Sequence, residues 1–131
     1  MDRSTARAMA MKLIYEWEMG GDGGDETKIN LLEIEPGDGD GFIDEMVEGV
    51  RENAEALDAQ IAKYAIGWTI ERITKVDLAI LRMAAYELMQ KKVPAAVAIN
   101  EAVTLADVYS TDKAGAFVNG VLGSLYRGEY Q

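Results

Sequence analysis

Apolar residues recur at intervals of three and four along most of the chain, in runs broken by glycine, proline and short polar clusters. That period places them on one face of an α-helix. Over residues 3–19 the stripe is Ala6, Ala10, Leu13, Ile14 and Trp17. Arg3 and Arg7 lie one turn apart beside it, Tyr15 lies farther round toward the polar side, and Gly20 and Gly21 stop the helix. A second run covers residues 42–66, with Ile43, Val47, Val50, Ala54, Leu57, Ile61 and Tyr64 in register. Asn53 or Asp58 marks a kink or break within it, and Gly67 ends it. Trp68 and Ile70 are expected to anchor the following connection into the core.

The C-terminal half continues the pattern. Val76, Ile80, Met83 or Ala84, and Leu88 line a helix of about four turns, closed by Lys91, Lys92 and Pro94. Val97, Ile99, Val103, Ala106 and Tyr109 are expected on the inner face of the next. Ser110, Thr111 and Asp112 form a break, with Thr111 or Asp112 as N-cap of a last helix carrying Phe117, Val118, Val121, Leu122 and Leu125. Between residues 20 and 41 the pattern fails. Gly20-Gly-Asp-Gly-Gly-Asp25 is loop chemistry, and only Ile29, Leu32 and Ile34 offer a short apolar face. No segment alternates with period two. The class is therefore all-α, with six or seven helices, in one domain or two small helical subdomains.

Composition narrows the chemistry. Of the 131 residues, 49% are hydrophobic, enough to bury a core, and there is neither cysteine nor histidine. A thiolate nucleophile, a disulfide framework and the commonest metal ligand are thereby excluded, as is the usual general base near neutral pH. No apolar run approaches the ~20 residues that span a bilayer, and no signal-peptide pattern opens the chain, so a cytoplasmic location is expected. The net charge is −10, and thirteen acids against Lys28 and Arg51 put −11 of it on residues 20–60. A polyanion is disfavoured as a partner for that segment and a basic protein is favoured.

Few motifs carry chemistry. Gly37-Asp-Gly-Asp-Gly-Phe-Ile-Asp44 resembles a calcium loop, but with Gly41 at loop position 6 the first and twelfth positions are Pro36 and Val47. Two essential ligands are missing, so no metal is expected. No phosphate-binding loop, dinucleotide fingerprint or hydrolase motif is present. Asp77, Glu87, Glu101 and Asp107 read as solvated helix faces, not as a converging carboxylate pair. Asn100 and Asn119 interrupt apolar runs and are expected as buried amides that fix helix docking. Gly120, costly within a helix, is expected to permit close helix approach. No cofactor is expected.

Four further motifs stand in order: Val76-Asp-Leu-Ala-Ile-Leu-Arg-Met-Ala-Ala-Tyr-Glu-Leu88, Val93-Pro94, Val97-Ala-Ile-Asn-Glu-Ala-Val103 and Phe117-Val-Asn-Gly-Val-Leu122. With Arg7 and Leu13-Ile-Tyr-Glu-Trp17 they closely resemble the NusB family, over nearly the whole chain and least at residues 20–60. The resemblance implies two packed helical subdomains, here about residues 1–66 and 67–131. It implies a complex with NusE, a basic ribosomal protein, that recognises boxA RNA in nascent ribosomal transcripts within the RNA polymerase antitermination complex. No enzymatic activity is expected.

By position, the resemblance places Arg3, Arg7 and Phe117 toward RNA, and Tyr15, Glu71 and Asp77 at the NusE interface. Arginine suits phosphate contact or stacking on unpaired bases. Phe117, read from the sequence alone, is core first and a stacking platform second. The chain also departs from the family pattern. Ser4 and Thr5 separate the arginines, Ala116 stands where a lysine is common, and Gly123 where an aspartate is common. A NusB-like domain also occurs fused to RNA methyltransferases, an activity not expected here. The alternative is a protein-interaction module, or a homodimer, without direct RNA contact.

Overall fold

A computed structural model describes residues 1–21 and 41–131. Helix α1, Arg3–Glu18, begins where the Asp2 carboxylate accepts a 2.7 Å hydrogen bond from the Thr5 N–H. Such a cap satisfies an orphan donor of the first turn. Ala6, Ala10, Leu13 and Ile14 are buried as the periodicity requires, joined by Met9 and Met11. The acidic run 42–66 is two helices, α2 (Phe42–Glu52) and α3 (Ala54–Tyr64). The break falls at Asn53, whose side-chain amide donates to the Gly49 carbonyl at 2.8 Å and competes with the helical ladder. Asp58 continues α3.

Gly67 turns the chain with φ of +85°, and a 3₁₀ turn at Ile70–Arg72 leads into α4, Lys75–Gln90. Every side chain from Asp77 to Leu88 on α4 is buried. The reason is its position: α4 packs against the five other helices of the described residues. One seam of Ile80, Met83, Ala84 and Leu88 accounts for only part of this, because Leu78, Leu81 and Ala85 give the other faces an apolar cover too. A helix apolar all round belongs inside a fold. It ends at Lys91, in the left-handed region at φ 58°.

Helix α5, Ala95–Tyr109, is rotated from the expected register. It buries Ala98, Ala102, Leu105 and Ala106, while Val97, Val108 and Tyr109 face outward. Val97 and Val108 are left outside, while Ile99 and Val103 pack, half-buried, at the edge of the core. Helix α6, Ala114–Leu125, buries Val118, Val121, Leu122 and Leu125. Its N-cap position is Lys113, with no side-chain cap bond, so neither Thr111 nor Asp112 takes that role. Asn100, Asn119 and Gly120 are all exposed. A Cβ at Gly120 would meet nothing within 4 Å. The amides do not dock helices, and close helix approach does not explain the glycine.

The chain finishes in a π-helical turn, Tyr126–Tyr130, tied to α3 by a 2.7 Å hydrogen bond from Gln60 Nε2 to the Tyr130 hydroxyl. Side chains from the six helices of the described residues form one connected core. The segment holding the calcium-like Asp38 and Asp40 and the possible helix at 28–35 lies outside the described residues. None of the helices in the described residues is long and apolar enough to cross a membrane.

Candidate nucleic-acid interface

Two buried arginines organise the surface. Arg7, on α1, is only 2% exposed. Its Nε and Nη2 donate to the Glu87 carboxylate of α4 at 2.8 to 3.2 Å, and its Nη1 lies 3.9 Å from Glu101 of α5. Glu101 in turn accepts from the Ser4 hydroxyl at 3.0 Å. Glu87 and Glu101 therefore do converge, contrary to the solvated-face reading, but upon an arginine. Arg7 is likewise not a solvated side chain. Its two-pronged pairing with Glu87 and its ion pair with Glu101 hold three helices together.

Arg3, one turn earlier, is exposed, and its guanidinium lies 4.1 Å from the centre of the Phe42 ring. Cation and ring attract at this distance. A cleft of about 260 Å³ opens here, bounded by Arg3, Arg7, Phe42, Glu45, Gln90 and Lys92. Glu45 bonds both Lys92 and Gln90. Those bonds outweigh its slight burial, which acts upward, and hold the Glu45 carboxyl below its ordinary value; the charges of Lys92 and Arg3 lower it further. The cleft thus presents two cations at its rim, of which Lys92 is tethered by Glu45.

Arg82, also on α4, forms the second buried centre. It donates twice to Asp58 at 2.8 Å and once to Glu18 at 2.9 Å, and Lys75 reaches Glu18 at 3.2 Å. Burial alone would raise the Glu18 carboxyl. Arg82 and then Lys75 outweigh it and hold the group below its ordinary 4.5. With Arg7 on Glu87 at one end and Glu18 near Lys75 at the other, α1 runs antiparallel to α4.

Phe117 stands at the other end of α4. It is half-buried at the start of α6, its ring centre 5.5 Å from that of Trp68 at a 57° tilt. They share a cleft of about 250 Å³ with Ile73, Asp77, Lys113 and Ala114. Trp68 is 49% exposed and outside the core, so it does not anchor the connection; half-buried Ile70 does. Asp77 is 7% exposed and accepts from the Ser110 hydroxyl at 2.7 Å. Glu71 is exposed on the 3₁₀ turn, and half-buried Tyr15 lies one turn before Glu18.

The six residues singled out from sequence thus separate. Arg3 and Arg7 sit at the Glu87 end of α4. Phe117 and Asp77 share the cleft near its start, with Glu71 just before the helix and Tyr15 toward the same end of α1. Ten residues of helix part Asp77 from Glu87, roughly 15 Å. Sequence reasoning missed Phe42, Lys92, Trp68 and Lys113 as neighbours of these side chains. Only Lys113, four residues before Phe117 and so on its face, was readable from spacing. Among the described residues no group of three acidic side chains is arranged to hold a metal ion.

Residues 4–127 match the model of the NusB family. The transcription antitermination protein NusB of Acetivibrio thermocellus is 44% identical over 97% of this chain and 90% of its own length. That of Sorangium cellulosum is 42% identical over 92% and 88%. A crystal structure of the antitermination factors NusB and NusE with double-stranded RNA superposes with a TM-score of 0.84, at 28% identity over 96% of each chain. A match across this much of the chain leaves one conclusion: it belongs to the NusB family.

Proposed function

We propose that this chain is a transcription antitermination factor, an adaptor without catalytic activity that joins NusE to bind boxA RNA in nascent transcripts. It acts in the cytoplasm, within the RNA polymerase antitermination complex. The observation that carries the reading is the solved relative, which holds NusE and RNA and aligns along 96% of both chains. Arg3, exposed over Phe42, contacts phosphate or an unpaired base, and Phe117 stacks. Arg7 acts through position, by fixing the first turn of α1 on α4 and α5. Tyr15, Glu71 and Asp77 face NusE. The net charge of −10 makes a basic partner the natural source of further phosphate contacts.

Fluorescence anisotropy of labelled boxA RNA tests this, with the chain alone, NusE alone and both. Binding by the pair tighter than by either component, and weakening steadily with salt, is the expected result. A stable protein pair that leaves RNA unbound would reject it.

A second reading draws on the outer face of α5, where Val108 is 65% and Tyr109 41% exposed. Such a face suits a second copy of the chain in a homodimer without RNA contact. Sedimentation separates the two readings: a tight dimer that NusE and RNA do not alter supports the second.

A further inference from the structure

A tryptophan that half faces water beside a half-buried phenylalanine needs a reason, since both rings gain by burial. The positive φ of Gly67 turns the chain just before Trp68, and the indole then rests against Phe117 and not in the core. Their 57° tilt makes a corner in which one ring braces the other, and the indole stays 49% exposed. The walls beside it are mostly carbon, from Ile73, Ala114 and the Thr74 side chain. At about 250 Å³ the space is smaller than the ~300 Å³ at which sites for drug-sized ligands begin, so it seats one ring system.

The charge at its rim selects the occupant. Among the described residues no carboxylate pairs with Lys113, whereas the nearest acid in the wall, Asp77, is engaged by Ser110. An aromatic face with an uncommitted ammonium beside it matches a nucleotide, whose flat base comes with a phosphate.

We propose that Trp68 and Phe117 form a stacking corner for one unpaired base of the bound RNA, with the Lys113 ammonium taking the adjoining phosphate. Trp68 and Lys113 are thereby RNA-binding residues. Lys113 supplies, one turn earlier, a cation that Ala116 does not. The inference rests on the RNA-binding reading above.

The test uses the full chain with NusE and a short single-stranded boxA RNA. The chain has two tryptophans, so Trp17→Phe leaves Trp68 as the sole indole reporter. RNA should quench its fluorescence saturably. Trp68→Ala should weaken RNA binding roughly tenfold, the loss of one stacked base, with Trp68→Phe restoring most of it. Lys113→Gln should lower the slope of log affinity against log salt by about one phosphate contact. NusE affinity and the helical circular dichroism should stay unchanged. Unaltered RNA affinity in Trp68→Ala would overturn the proposal while leaving the adaptor reading intact. Loss of NusE affinity in place of RNA affinity would overturn it too, by assigning the corner to a protein side chain. If the unsubstituted pair binds no RNA, both readings fail together.

Discussion

Arg3 and Arg7 are the same residue type, one turn apart, yet their environments assign them different work. Arg7 is enclosed with its carboxylate partner, so Arg7→Ala leaves Glu87 buried and unpaired. We expect a loss of about 3 kcal/mol or more of folding stability, read by urea denaturation. Arg3 is exposed, and Arg3→Ala should shift stability by no more than about 0.5 kcal/mol while weakening RNA binding. Spacing alone could not separate the two, because which face of α1 turns inward depends on the carboxylates that α4 and α5 bring to it. Gly49 offers a steric counterpart. A Cβ there would overlap the Tyr86 ring, so Gly49→Ala should lower the thermal midpoint, despite the better helix propensity of alanine. Glu18 gives the pH dependence. Its folded pKa lies below the ordinary 4.5, so its contribution is present above that value and fades as pH falls through the folded one. Glu18→Gln should therefore flatten the acid limb of stability below about pH 4.5, while a limb of undiminished slope would mean that Arg82 and Lys75 do not hold that carboxylate.

At the scale of helices, the period of the apolar residues was enough to find α1, α4, α5 and α6, while the break in the second run, open between Asn53 and Asp58 from spacing, falls at Asn53. It failed on orientation in α5. Valine and isoleucine outrank alanine in hydrophobicity, so the stripe through Val97, Ile99 and Val103 looked like the inner face. The structure turns Ala98 and Ala102 fully inward, sets Ile99 and Val103 at the edge of the core, and leaves Val97 exposed. Ala102→Leu should then overpack the α4–α5 seam and cost about 1–3 kcal/mol, whereas Val108→Thr on the open face should be nearly neutral. Thermal denaturation of the two variants side by side decides it. Equal losses would mean that α5 does not present these faces as described. Asn119 and Gly120 stay unexplained by packing.

For the molecule as a whole, the all-helical class followed from the sequence, but the division of labour on its surface did not. Residues far apart in the chain, such as Phe42 beneath Arg3 and Trp68 against Phe117, meet as the described helices gather around α4. We propose that the halves at 1–66 and 67–131, sharing one core, unfold together as a single transition by circular dichroism and tryptophan fluorescence. The same central helix sets the arginine end and the aromatic end roughly 15 Å apart, so on the proposed reading an extended strand, not a single nucleotide, would join them. The most direct measurement is boxA affinity of the complex with NusE for Arg3→Ala, Phe117→Ala and the double variant, at matched folding. Two separate contacts on one strand predict that each substitution weakens binding and that the two free-energy losses add, as they do for sites this far apart. Wild-type affinity in the double variant would contradict the account.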